Sequence, residues 1–219
     1  MIVTIVGAGR LAEGVAVRAL TGGHRLRITD TAPGRAEALV AALAGRDRLP
    51  EGPRSSLSVV TVAEAIAGAD VVVLALPYPE GRLVAREQGA ALSGVTVVDT
   101  CNPVDFSTFD SLLTSPGMSA AEEIAAACPA AHVVKAFNTT FASALVAGWV
   151  GGLPLDVFLA GDDDDAKAAV ASLARDGGLR PVDTGPLRRA RELEAFQFLH
   201  MTLQGPLGLD WASAVKLLP

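Results

Sequence analysis

Short apolar runs of strand length alternate along most of the chain with Ala-rich stretches of helical period. Ile2 to Val6 is the first run and Leu26 to Thr29 the second. Ser58 to Val60, Val71 to Leu76, Val95 to Asp99 and residues 132–136 follow. Continuous apolar runs without polar alternation read as strands buried on both faces, the pattern of a parallel sheet covered by helices. Helical segments are expected over 10–21, 33–45, 62–68, 80–91 and 119–127. The first carries Leu11, Val15, Arg18 and Ala19 at helical spacing and stops at Gly22 and Gly23. The second opens on Pro33, and the third starts at Thr61 with Glu64 in the capping-box position. Half the residues are hydrophobic, so the core can be sizeable. This strand–helix alternation predicts an α/β chain: a doubly wound parallel sheet with right-handed crossovers and ligands at the carboxyl ends of its strands.

After about Gly151 the alternation repeats on a smaller scale. Leu155 to Ala160 and Leu179 to Asp183 read as strands around a helix over Asp162–Arg175, and helices are expected near 187–203 and 210–217. The chain is therefore read as residues 1–150 plus a small C-terminal α/β and helical extension, 151–219, packed on the same domain. Residues 46–57 read as a polar loop. Residues 100–118 read as a long irregular segment of the kind that often carries function.

The net charge of −6 argues against a nucleic acid partner, and Arg188, Arg189 and Arg191 read as a solvated helix start. Cys101 and Cys128 have neither metal-type nor CxxC spacing, which fits a reducing compartment. No pattern of a secretory leader follows Met1, and no apolar run reaches the roughly 18 residues that span a bilayer. The expectation is a cytoplasmic protein with no membrane partner.

The segment Gly7-Ala8-Gly9-Arg10-Leu11-Ala12 follows the first strand and opens the first helix. Its form is GxGxxA. Gly7 permits the tight turn, Gly9 lets backbone approach a pyrophosphate, and Ala12 lets the helix lie close to the strand. The helix N-terminus offers N–H groups and partial positive charge to phosphates. Together these predict a dinucleotide site on a Rossmann-type sheet. The acidic residue expected about 20 positions further on is Asp30. A carboxylate there accepts from ribose hydroxyls and repels a 2′-phosphate, which favours NAD(H) over NADP(H). Thr31 brings no cation; Arg10 and Arg35 are the groups that would admit a phosphate.

Several blocks, in this order and spacing, resemble the deazaflavin (coenzyme F-420)-dependent NADP reductase family. They are the Gly7–Gly14 loop, Val73-Leu74-Ala75-Leu76-Pro77, and Val98-Asp99-Thr100-Cys101-Asn102-Pro103. Val133 to Thr139, Gly161 to Asp164 and Leu179 to Leu187 complete the set. Relatives include the reductase domains of metalloreductases and, more distantly, pyrroline-5-carboxylate reductases. The resemblance implies hydride transfer between a nicotinamide and a flavin, a deazaflavin or another small redox acceptor. It places the nicotinamide near the segments of Leu76, Pro77, Asn102 and Pro103, with the acceptor walled by the loop after the sixth strand, around Ala136 and Asn138. Two positions depart from the family pattern. Asp30-Thr31 stands where a Ser-Arg pair reads NADP, and Asn138 stands where deazaflavin-reducing members place a histidine.

A flavin or deazaflavin acceptor needs position and exclusion of water more than acid–base help. A carbonyl or imine would need a proton donor. Tyr78, Lys135 and Asn138 are the catalytic candidates, with Thr139 and His200 behind them. Tyr78 either faces the mouth of the site or packs between Pro77 and Pro79. Lys135 either meets a partner or snorkels to solvent. Asn138 and Thr139 suit ligand positioning. Cys101 lacks a nearby histidine base, and His24 and His132 flank strands as structural groups. His200 reads as a core or dimer-interface residue. Asp162 to Asp165 read as helix capping, with no metal site. An imine or carbonyl reductase and a non-catalytic redox sensor are the competing readings. The apolar stretch from Phe196 to Leu218 suggests a homodimer.

Overall fold

The computed structural model describes residues 1–46 and 57–218. Eight strands form one sheet in the order β10-β9-β6-β5-β4-β1-β2-β3. The strands are β1 (Ile2–Val6), β2 (Arg25–Thr29), β3 (Leu57–Val59), β4 (Val71–Leu74), β5 (Thr96–Asp99), β6 (His132–Lys135), β9 (Asp156–Gly161) and β10 (Arg180–Asp183). Strands β1 to β6 pair in parallel. The helices between them are α1 (Arg10–Thr21), α2 (Arg35–Ala44), α3 (Val62–Ile66), α4 (Tyr78–Glu87) and α5 (Ala120–Ala127). This is the expected Rossmann-type α/β architecture. The chain order reverses between β1 and β4, which puts the ligand crevice at their carboxyl ends.

The apolar runs of β1, β4, β5 and β6 are buried on both faces, as the pattern required, whereas β3 at the sheet edge is not, with Val59 38 % exposed. Every residue of β4 is at most 1 % exposed. Each such Val or Leu contributes roughly 1.5–3 kcal/mol of burial. The third helix starts as predicted: Thr61 accepts from the Glu64 N–H, and the Glu64 carboxylate accepts from the Thr61 N–H. The loop expected over 46–57 falls almost entirely outside the described residues.

The second part of the chain differs from the expectation in three ways. First, β9 joins β6 antiparallel and β10 runs parallel to β9, so the extension continues the same sheet with two reversed strands. The reversal follows from α6 (Ala142–Ala147) and the small hairpin β7 (Trp149–Val150) and β8 (Leu153–Pro154), which carry the chain back along the sheet. Both are too short to leave a periodic signal in the sequence. Second, after α7 (Asp164–Asp176), the helix α8 (Ala190–Thr202) buries Glu194, Gln197 and His200 and turns Phe196, Leu199 and Leu203 outward. Third, residues 210–217 are not helical. The short helix α9 (Gln204–Leu207) ends at Gly208, Asp210 and Trp211 turn through left-handed backbone, and the tail then bridges Thr140 at Ala214.

Asp156 anchors that tail. It is 1 % exposed and accepts from Arg180 Nε at 2.7 Å, from Lys216 Nζ and from the Leu217 N–H at 2.9 Å. Burial opposes ionisation, but Arg180 and Lys216 outweigh it and hold the carboxyl at about 2. A depressed folded-state pKa stabilises above the ordinary carboxylate range, and that stabilisation is lost as pH falls through the folded value. The tail is therefore expected to loosen between about pH 4 and about pH 2. Trp211 fluorescence in a Trp149→Phe background reads this transition, and Asp156→Asn should remove its pH dependence.

Candidate functional site

Register places the site. Thr29, Val6, Leu74, Asp99 and Lys135 lie in one row across the sheet's carboxyl edge. The next residue of each strand, from Asp30 to Ala136, begins a loop into the crevice. Gly7 takes φ 113°, and a Cβ there would lie 2.3 Å from the Ala75 carbonyl oxygen. The Gly7 N–H donates to the Thr29 carbonyl at 2.8 Å, tying the turn to β2. Beside Gly9 the space is open, with an Arg35 guanidinium nitrogen as the nearest group, 3.9 Å from a Cβ position. No side chain caps the first turn of α1. An uncapped helix start above a glycine cradle fits a phosphate group. Ala12 is fully buried, as close packing on the strand requires. Gly14, outside the GxGxxA motif, meets the Leu145 side chain of α6 at 3.0 Å from a Cβ position.

The Asp30 side chain is only 2 % exposed. It accepts from the Ala8 N–H at 2.7 Å and the Ala32 N–H at 2.8 Å. Arg35 Nε stands 3.9 Å from the same carboxylate. Asp30 and Arg35 therefore share the end of β2, a carboxylate below and a guanidinium above the loop, while Thr31 is exposed beside them. Arg10 is exposed and, with Glu13, Phe141, Ser143 and Trp211, lines a groove of about 640 Å³ that Leu11 does not reach.

At the other end of the crevice Leu76 and Pro77 follow β4, and Pro77 is exposed. Asn102 and Asn138 form a reciprocal pair: Asn102 Nδ2 donates to the Asn138 carbonyl at 2.9 Å, and Asn138 Nδ2 to Asn102 Oδ1 at 3.0 Å. Asn138 Nδ2 also donates to the Leu193 carbonyl of α8 at 3.3 Å. Phe137, with φ 62°, makes the turn that aims Asn138 at Asn102. Left-handed backbone in a non-glycine residue costs about 1–3 kcal/mol and is held by its surroundings. Among the described residues, Asn138 Oδ1 and Thr139 Oγ1 are buried polar atoms without a partner. Ala136 and Pro103 are buried at the roots of these loops.

The remaining candidates are placed differently. Tyr78 begins α4 and is 8 % exposed; its hydroxyl donates to Glu123 Oε2 of α5. It packs with Cys101 and Ala120. Burial and the Glu123 carboxylate push its pKa up to about 12. Lys135 does not snorkel. It is fully buried and donates to Asp99 Oδ2 at 2.7 Å, Glu194 Oε1 at 2.8 Å and the Cys101 carbonyl at 2.6 Å. Burial alone would lower its pKa, but Asp99 and Glu194 raise it above the ordinary value. Burial pushes the Cys101 thiol well up, against nucleophilic use. Sequence reasoning missed the roles of Asp99 and Glu194; the only signal was that a lysine ending a buried strand must find carboxylates.

His24 is buried beside Asp176, and His132 meets Asp163 at 3.2 Å. His200 is 8 % exposed, stacks on Phe141 at 4.7 Å and contacts Ser213 Oγ at 2.8 Å. Asp163 caps α7 by accepting from the Ala166 N–H, and Asp162 accepts from the Leu187 N–H. Among the described residues no helix is long and apolar enough to cross a membrane, and no group of three or more metal-ligating side chains assembles.

Residues 2–103 match the family described as "NADP oxidoreductase coenzyme F420-dependent". The chain is 32% identical over 193 residues to the metalloreductase STEAP3 of Rattus norvegicus, covering 88% of this chain and 36% of that protein. It thus spans little more than a third of that relative. It is 29% identical over 201 residues to the F420-dependent NADP reductase of Methanothermobacter marburgensis, covering 88% of this chain and 87% of that one. The crystal structure of a putative F420-dependent NADP reductase from Arthrobacter sp. FB24 superposes with a TM-score of 0.74 at 28% identity, covering 94% of both chains. These likenesses support a place in the F420-dependent NADP reductase-like family of oxidoreductases.

Proposed function

We propose that this protein transfers a hydride from a reduced nicotinamide dinucleotide to a flavin- or deazaflavin-like acceptor, and that it favours NADH. The observation that carries the reading is the Asp30 carboxylate, held on the Ala8 N–H directly below the Gly7–Gly9 cradle. Gly7, Gly9 and the first turn of α1, with Arg10 and Leu11, take the pyrophosphate. Asp30 accepts from the adenosine ribose hydroxyls, and a 2′-phosphate in their place would meet that carboxylate. Arg35 Nε lies 3.9 Å from the same carboxylate. The F420-dependent relatives are named for NADP, so the preference read from Asp30 departs from them. Asp30→Ser is expected to shift the ratio of NADPH to NADH affinity upward by about tenfold, because it removes the like-charge contact. Parallel titrations of the variant and the parent check this, and an unchanged ratio would remove Asp30 as the specificity determinant.

The bound dihydronicotinamide supplies the hydride. Leu76, Pro77, Asn102 and Asn138 shape the pocket for its ring, and the partnerless Asn138 Oδ1 is an acceptor for a ligand amide. The Asn102–Asn138 pair closes the floor of the crevice against water. No side chain has to move a proton for a flavin-type acceptor. An imine or carbonyl acceptor is the second reading, and the Tyr78–Glu123 contact favours it, since this pair is the one proton-holding hydroxyl at the start of α4. The readings separate in an acceptor screen followed at about 340 nm, the absorbance of the reduced nicotinamide, with the parent and with Tyr78→Phe. Reduction of a flavin or deazaflavin at a rate within about twofold of the parent supports the first. Reduction of an imine that falls at least about a hundredfold in the variant supports the second. Binding with no acceptor reduced would support a redox sensor. A homodimer through the outward Phe196, Leu199, Leu203 and Leu207 stripe belongs to this reading, and Leu199→Glu should shift sedimentation toward a monomer.

A further inference from the structure

The Asp99–Lys135–Glu194 cluster lies directly beneath the crevice and is sealed from water. Lys135 is 0 % exposed, and Asp99 and Glu194 are 1 % exposed. Register explains half of it: Asp99 and Lys135 are paired across β5 and β6, so their side chains leave the same face of the sheet. Glu194 comes from α8, far along the chain. Such a cluster is an expensive way to build a core, since apolar residues of similar volume serve stability as well or better.

What the cluster holds is specific. Asp99 Oδ1 accepts from the Cys101 N–H at 3.0 Å, and Lys135 Nζ donates to the Cys101 carbonyl at 2.6 Å. Both backbone polar groups of Cys101 are thus pinned, and the next residue is Asn102. Glu194 accepts from the Ala120 N–H at 3.0 Å and the Ala121 N–H at 3.4 Å, locking α8 onto the start of α5. Its chain neighbour Leu193 offers the carbonyl that takes Asn138 Nδ2. One buried charge network therefore fixes Asn102 through β5 and Asn138 through α8, and the two asparagines clasp each other above it.

We propose that Asp99, Lys135 and Glu194 are positioning residues for the nicotinamide half of the site, holding Asn102 and Asn138 in register while leaving the adenosine half untouched. The adenosine half rests on Gly7, Asp30 and α1, none of which the cluster contacts. The proposal builds on the dinucleotide reading above.

Glu194→Gln is the sharpest variant. Both carboxylate oxygens accept, one from Lys135 and one from the Ala120 N–H. An amide of the same shape must set its NH₂ against one of those donors, so α8 shifts without loss of volume. The test is calorimetric titration of parent and variant with NADH and, separately, with ADP-ribose, which lacks the nicotinamide. The expected result is an NADH affinity about tenfold weaker with ADP-ribose affinity within about twofold of the parent. Asn102→Ala keeps all three charges and should reproduce the same split, so a Glu194→Gln protein that does not fold leaves the test intact. Equal loss for both ligands would make the cluster a general fold element and overturn the proposal, as would unchanged NADH binding. A parent protein that binds neither ligand would overturn the dinucleotide reading itself and the proposal with it.

Discussion

Replacing Lys135 with methionine is expected to cost the fold about 3–5 kcal/mol, far more than a typical surface substitution. Methionine fills nearly the same volume, so the cost is electrostatic. Two carboxylates, Asp99 and Glu194, would be left buried with no cation between them. At this chain length each kcal/mol moves the midpoint by roughly 2–4 °C, so Tm should fall by about 6–20 °C. The pH dependence has a defined sign. Burial and the neighbouring Asp99 already raise the Glu194 pKa, with Lys135 opposing them. Without Lys135 that raised pKa stands uncompensated. A carboxyl whose folded pKa is raised binds protons preferentially in the folded state, so the variant should regain stability as pH falls toward about 5. A variant as stable as the parent at about pH 7 would mean the three groups do not form one ionised network.

Gly7→Ala is expected to disable the dinucleotide site. The new methyl would stand 2.3 Å from the Ala75 carbonyl oxygen, which is backbone and cannot swing aside. The φ of 113° adds strain for any residue with a Cβ. The loop and β4 must part, and the Gly7 N–H bond to Thr29 that joins the turn to β2 is put at risk. A displacement of about 1 Å at a positioned site costs on the order of a hundredfold, and dinucleotide affinity should fall by about that much. Stability should drop by about 2–4 kcal/mol. Gly23→Ala is the matched control: its φ is also positive, at 75°, but nothing lies within 4 Å of the added carbon. It should lose about 1 kcal/mol and keep dinucleotide affinity.

The sheet and the glycine turn that leads from β1 into α1 were legible in the sequence because both rest on local rules. A run such as Val71-Val72-Val73-Leu74 can satisfy its pattern only inside a covered sheet. Gly7, Gly9 and Ala12 each answer a steric demand of a strand–turn–helix junction. Thr61 with Glu64 and Asp163 with α7 were legible for the same reason, since a cap is settled within four residues. At the other end of the crevice the resemblance named the segments, but their pairings were not legible. The geometry there comes from pairs far apart in the chain, Asp99 with Lys135 and Asn138 with Asn102. Hydropathy also misleads on α8: beside Ala190 and Leu193 its buried face carries Glu194, Gln197 and His200, while Phe196 and Leu199 are exposed. A helix that turns charge inward is readable only once Lys135 is known to lie beneath it. The apolar residues over 210–217 suggest a helix where the chain forms none. The conformation there is set instead by Asp156, Arg180 and the bridge to Thr140, contacts of long sequence separation.

The measurement that bears most directly on the dinucleotide site is a fluorescence titration of the purified protein with NADH and, in parallel, with NADPH. Saturable binding of both is expected, with NADH at least about tenfold tighter, because Asp30 accepts from a ribose diol and faces a 2′-phosphate with like charge. Tighter binding of NADPH would contradict that role for Asp30 and would assign the end of β2 to Arg35 as a phosphate contact.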